Sequence, residues 1–200
     1  MPPPEPAARP RPVLQIVVGS TRPGRVGLPV AEWFRRLAVH HDAFTVELVD
    51  LADVGLPFLD EPELPRFGRY VHQHTRDWSA TISRADAFVF VTPEYNHGPS
   101  AALKNALDFL HTEWHYKPLG FVSYGGIAAG ARAVQIVKQF VLPLKMTPLF
   151  ETVAIPLVEQ FLDEERCFRG SAVLEAAAAT MLSELHRLSE ALRPLRRPEG

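Results

Sequence analysis

The sequence predicts an α/β domain built on a doubly wound parallel sheet of five strands. Short apolar runs alternate with longer segments of helical period along the chain, the pattern of repeated βαβ units. The strand-like runs are nearly continuous in apolar residues, as expected where helices cover both faces of a parallel sheet. A length of 200 residues fits one such domain. The balance of 46% hydrophobic to 22% charged residues is that of a globular chain, and a net charge of −2 argues against a basic nucleic-acid binder. The chain has no apolar run of about 18 residues, so no membrane partner is expected. Met1-Pro2-Pro3-Pro4-Glu5 has neither the basic nor the apolar part of a secretory signal, and the single Cys167 cannot make an internal disulfide. A cytoplasmic protein is expected.

Six of the nineteen prolines fall in residues 1–12, which read as a disordered extension. Residues 13–193 form the expected domain. Val13-Leu14-Gln15-Ile16-Val17-Val18 is the first buried strand, stopped by Gly19-Ser20, and residues 27–39 follow with helical period. Residues 44–49 alternate like a more exposed strand. A loop with three prolines spans 57–69, then a polar helix covers about 70–84. Ala87-Phe88-Val89-Phe90-Val91 is a central strand ended by Thr92-Pro93, with a helix over about 99–111. A fourth strand covers 119–123, a helix reaches about 142, and a fifth strand lies around Leu149–Ile155. Leu174, Ala178, Met181, Leu185, Leu188 and Leu192 put one apolar stripe on a last helix. Residues 194–200 read as a basic, proline-broken tail. Right-handed crossovers then favour the flavodoxin-like strand order 2-1-3-4-5. Ligands of such sheets bind outside the carboxyl ends of the strands, so function is sought in the loops after strands 1, 3 and 4.

The first loop, Gly19-Ser20-Thr21-Arg22-Pro23-Gly24-Arg25-Val26-Gly27, combines a hydroxyl, glycines, a helix start and two arginines, a set suited to a phosphate. It lacks the spacing of G-x-G-x-x-G and of the Walker A loop. A solvated basic turn is the plainer reading of these residues alone. The second, Thr92-Pro93-Glu94-Tyr95-Asn96-His97-Gly98-Pro99, offers an aromatic face and amide edges to a flat heteroaromatic ring, although it reads equally as a helix-capping turn. The third, Ser123-Tyr124-Gly125-Gly126-Ile127-Ala128-Ala129-Gly130, allows close backbone approach before another helix start. Ser123 is no nucleophile elbow, because the surrounding residues do not spell G-x-S-x-G.

The segments G-S-T-R-P-G-R, T-P-E-Y-N-H-G-P-S-A-A-L-K-N-A-L-D-F-L and E-W-x-x-K-P-x-G-F-V-S-Y-G-G together resemble the NADPH-dependent FMN reductase family, with its related quinone, azo and chromate reductases. The resemblance runs from about Val13 to Phe140. It implies FMN as cofactor and NADPH or NADH as reductant. It also implies that Ser20, Arg22 and Arg25, with backbone from Thr21 through Val26 to Gly27, hold the FMN phosphate. Pro93, Glu94, Tyr95 and Asn96 would line the ribityl chain and ring, with Ser123, Tyr124, Gly125 and Gly126 at the ring's other edge. The flavin would carry the chemistry, which agrees with the lack of an acid–base pair in the sequence. Tyr95 and His97 are candidate substrate contacts. The α-helix start behind Gly125–Gly130 would favour negative charge on the reduced ring.

The expected activity is hydride transfer from a nicotinamide through flavin to a small-molecule acceptor such as a quinone, free flavin or azo compound, by a ping-pong mechanism. The alternative is a flavodoxin-like electron carrier or a redox-sensing flavin protein. Near-neutral charge and the loop arginines weigh against a flavodoxin, and Ser20 and Thr92 stand where a receiver-domain phosphoacceptor would need acids. No metal site is expected: His72 and His74 should lie on different sides of a helix, and His111 and His115 lack acids or thiols to complete a set. Glu61, Glu63, Asp163, Glu164 and Glu165 read as solvated charge. Arg66 and Arg69 are candidates for a 2′-phosphate. The 99–111 helix carries more apolar surface than one sheet face needs, which suggests a homodimer or tetramer.

Overall fold

The computed structural model describes residues 10–196. Its five strands are β1 (Val13–Val18), β2 (Thr45–Asp50), β3 (Ala87–Pro93), β4 (Pro118–Tyr124) and β5 (Thr147–Ile155). They pair in parallel in the expected order β2-β1-β3-β4-β5. β3 and β4 are buried at every position, which is why their sequences show no alternation. Helices α1 (Gly27–His41) and α6 (Ala172–Leu192) cover one face, where Phe34, Val89, Val122, Met181 and Leu185 are fully buried. On the other face lie α3 (Gln73–Ser83), α4 (Ala101–Asp108) and α5 (Ala131–Val141), packed over Phe88, Phe90 and Phe121.

Three local features depart from the sequence reading. One turn of helix, α2 (Leu51–Val54), follows β2 directly because Asp50 accepts the Ala52 amide at 3.0 Å and caps it. α4 is shorter than its pattern: Ser100 caps its start by accepting from Leu103, and it stops at Asp108. Its apolar residues also go inward. Leu103, Ala106, Leu107, Phe109 and Leu110 are all buried within this chain, so the surplus apolar face expected over 99–111 is absent.

The ends of the described chain are attached. The Pro12 carbonyl accepts from Thr45, and Arg11 pairs with Asp42, so the part of the 1–12 extension at Pro10–Pro12 is held against the domain. Residues 1–9 and 197–200 lie outside the described residues. Arg196, within the segment read as a tail, pairs with Asp86 at 2.8 Å and donates to the Tyr116 carbonyl.

The E-W-x-x-K-P segment is structural. Glu113 accepts from Tyr70, Ser79 and the His111 amide, and so ties the proline loop to α3. Trp114 fills the core beside Trp78, Phe88 and Phe90. Lys117, 5% exposed, donates to the Ile82 carbonyl at 2.8 Å and to that of Ser83, which closes the end of α3. Burial, reinforced by Arg196, pulls its pKa down to about 8. The unfolded chain therefore holds a proton between about pH 8 and 10.5 that the folded chain has released, so this residue's contribution to stability rises with pH. Relative to Lys117→Met, wild type should gain roughly 2 kcal/mol between pH 7 and pH 10 in urea unfolding. A gap that does not change with pH would contradict this.

Candidate active site

The three loops converge at the carboxyl end of the sheet, where the winding of successive strands reverses between β1 and β3. The Gly19 amide donates to the Val91 carbonyl at 2.9 Å, and Ser100 donates to the Gly19 carbonyl. These bonds fix the first loop against the start of the second.

Within the first loop, Arg25 donates its amide to the Arg22 carbonyl, and α1 begins after Val26. No side chain caps α1, and its first turn contains no acid. Its first N–H groups thus carry uncompensated partial positive charge toward the loop. Ser20 is fully buried, with its hydroxyl 2.8 Å from that of Tyr95. The two arginines are not equivalent. Arg25 is paired with Asp50, whose side chain is 6% exposed, whereas Arg22 is exposed and makes only a 3.2 Å bond to the neighbouring Pro23 carbonyl.

The second loop is a tight hairpin. Tyr95 and Gly98 exchange both backbone hydrogen bonds, at 2.8 and 2.9 Å, across the pair Asn96-His97. Both central residues have positive φ, 49° and 70°, as a two-residue turn of this hand requires. Histidine is an unfavourable occupant of that position, and the turn holds its ring exposed at the loop's apex.

Glu94 does something the sequence did not suggest. Its carboxylate, 6% exposed, accepts the Arg132 amide at 3.1 Å and the Arg132 guanidinium. Gly130, the residue preceding α5, has no side chain with which to cap it, so Glu94 caps α5 from the second loop. Burial pushes this carboxyl up, but the hydrogen bonds and charge of Arg132 outweigh it and hold its pKa below the ordinary value. The Glu94 charge at the α5 start is thus matched by that of Arg132, and one of the helix's first amides is taken up by the cap.

In the third loop Ser123 donates to the Ala129 carbonyl at 2.8 Å, so its hydroxyl faces inward and shapes the loop. Gly125 and Gly126 are tied by backbone bonds to Val158 and Leu157. Tyr124 turns its side chain under the first loop, where its hydroxyl lies against Gly27 and near Tyr95. Between the second and third loops lies a cavity of about 580 Å³, bordered by Asn96, His97, Gly126, Ile127 and Arg132.

The remaining candidates lie elsewhere. His72 precedes α3 in extended backbone, so its ring stacks on that of His74 at 5.2 Å instead of diverging from it. His111 and His115 sit 4.8 Å apart. No group of three or more metal-ligating side chains occurs among the described residues. Glu61 accepts the Val71 and His72 amides, and Asp163 accepts from Cys167 and Arg169, so neither is free solvated charge. Arg69 pairs with Glu63, while Arg66 stacks on Phe67.

A flavodoxin-like sheet with an uncapped helix start on one side of its switch point and a cavity on the other defines a mononucleotide-binding α/β protein. The profile of the NADPH-dependent FMN reductase family matches residues 13–160. The chain belongs to that family, and it is an oxidoreductase of that class, whose cofactors are FMN and a nicotinamide reductant. It is 41% identical over 157 residues to an NAD(P)H-dependent FMN reductase of Schizosaccharomyces pombe, covering 76% of this chain and 78% of that one. A quinone reductase of Pseudomonas putida is 32% identical over 137 residues, 66% of this chain and 70% of its own. Among solved structures, the NAD(P)H:(acceptor) oxidoreductase FerB of Paracoccus denitrificans superposes with a TM-score of 0.70 at 18% identity, over 90% of this chain and 98% of that one. No helix among the described residues is long and apolar enough to cross a membrane.

Proposed function

We propose that this chain holds FMN across the three loops and passes reducing equivalents from NADPH or NADH to a small acceptor such as a quinone, free flavin or azo compound. The observation that carries this reading is the pairing of two complementary places. One is the uncapped α1 start beside the exposed Arg22, suited to a phosphate; the other is the cavity of about 580 Å³ beside Asn96 and His97, suited to a flat ring. Bound FMN supplies the hydride-accepting chemistry. The residues of the chain position it and shape access to it.

Ser20, Thr21, Arg22, Val26 and Gly27 form the phosphate end, with Arg25 holding the loop to Asp50. Pro93, Tyr95, Asn96, Gly125 and Gly126 frame the ring end, and Glu94 locks the two ring-side loops together. Tyr95 and His97, exposed at the hairpin, border the face that nicotinamide and acceptor would share.

One domain with one such cavity leaves a single place for both, so turnover should be ping-pong. Steady-state oxidation of NADPH with a quinone should give parallel double-reciprocal lines, with NADP⁺ competitive against the quinone. Intersecting lines would require a ternary complex and would overturn the single-site reading. A homodimer or tetramer also belongs to this proposal. Its support is a groove of about 450 Å³ between α4 and α5, where the exposed Leu64 meets the half-buried Phe140 and Leu144.

A further inference from the structure

One polar group at the site does not sit where the resemblance places it, at the edge of the ring. Tyr124 is the last residue of β4 and 5% exposed, and its hydroxyl has no hydrogen-bond partner among the described residues. Buried hydroxyls are nearly always paired, so an orphan of this kind calls for an explanation. Its position supplies one. A Cβ built on Gly27 would lie 2.6 Å from the Tyr124 oxygen, so the hydroxyl is pressed against the first residue of α1. That helix start is itself uncapped and free of acids. The Ser20 and Tyr95 hydroxyls both lie near that of Tyr124, but they bond to each other at 2.8 Å and neither is placed to complete a hydrogen bond with it. Arg22 and Arg25 also exert their charge there.

A buried hydroxyl without a partner thus lies against the first residue of a helix whose start is uncapped. We infer that the Tyr124 hydroxyl donates a hydrogen bond to an oxygen of a phosphate monoester seated at the start of α1. On the reading above, on which this inference rests, that group is the phosphate of FMN. The assignment moves Tyr124 from the ring edge to the phosphate end. Burial raises the phenol's pKa, so it stays protonated and able to donate at neutral pH. Gly27 acquires a reason as well: any side chain there would occupy the place of the phenol oxygen.

The test is Tyr124→Phe, which keeps the buried ring and removes only the oxygen. Apoprotein is titrated with FMN and, separately, with riboflavin, which lacks the phosphate. Loss of a hydrogen bond to a charged oxygen should weaken FMN binding about tenfold or more and leave riboflavin binding unchanged. The ratio of the two affinities therefore falls. An unchanged ratio would overturn the inference, and so would an equal loss for both ligands, because it would mark a ring contact or a general packing role. Gly27→Ala provides a second variant; its methyl group displaces the phenol oxygen and should reproduce the selective loss of FMN. Wild-type protein that does not prefer FMN to riboflavin would instead overturn the phosphate reading of the first loop, and this inference with it.

Discussion

Gly130→Ala should unfold at lower urea and lose most of its affinity for FMN. Gly130 has φ +81°, and a Cβ there would lie 2.8 Å from Ser123 Cβ and 2.9 Å from the Tyr124 amide nitrogen. Neither neighbour can yield, since both belong to the buried end of β4. Positive-φ strain and overpacking each contribute, giving a loss of about 2–5 kcal/mol. Relief would come from shifting the start of α5, which Glu94 ties to the second loop, so the distortion would spread to both ring-side loops. Gly126→Ala is the control. A Cβ there meets nothing within 4 Å, so stability should be retained and only the adjoining cavity altered. Wild-type unfolding of Gly130→Ala would contradict this description of the third loop.

The two arginines of the first loop should separate by readout. Arg22→Ala removes an exposed cation whose one bond is to the neighbouring Pro23 carbonyl, so it should weaken FMN binding roughly ten- to hundredfold while unfolding as wild type does. Arg25→Ala leaves the buried Asp50 carboxylate unpaired. It should lower stability by about 3 kcal/mol or more, measured by urea unfolding. Asp50 also caps α2, so this loss extends to the chain after β2. Equal stability of the two variants would show that the Arg25–Asp50 pair does not anchor the loop. Unchanged FMN affinity in Arg22→Ala would remove that residue from the phosphate site.

Much of this was legible before any coordinates. The parallel sheet followed from continuous apolar runs such as Ala87-Phe88-Val89-Phe90-Val91, as strands buried on both faces read, and its order followed from right-handed crossovers between five strands. The three loops were placed by the same reasoning, since the switch point follows from the order. The inward pairings were hidden. Asp50 stands 25 residues from Arg25 and Glu94 stands 38 from Arg132, and nothing local marks either carboxylate as a partner. Their positions at the carboxyl ends of strands were the available signal. The apolar residues of α4 misled in the opposite way. A short helix entering a deep layer buries more than one stripe, so Phe109 and Leu110 pack inside and add nothing to the surface. The hairpin at Asn96-His97 was concealed because neither central residue is the glycine such turns favour, and the segment read equally as a helix-capping turn.

The central claim is that the three loops hold FMN and that a nicotinamide reduces it there. Apoprotein is mixed with one equivalent of FMN, freed of unbound flavin by gel filtration, and titrated with NADPH in the absence of oxygen while the flavin absorbance is followed. The expected result is a yellow protein that retains FMN and is bleached by one equivalent of NADPH, with colour returning when a quinone is added. Protein that emerges colourless from the column, or that keeps its colour through excess NADPH and NADH, would contradict the account.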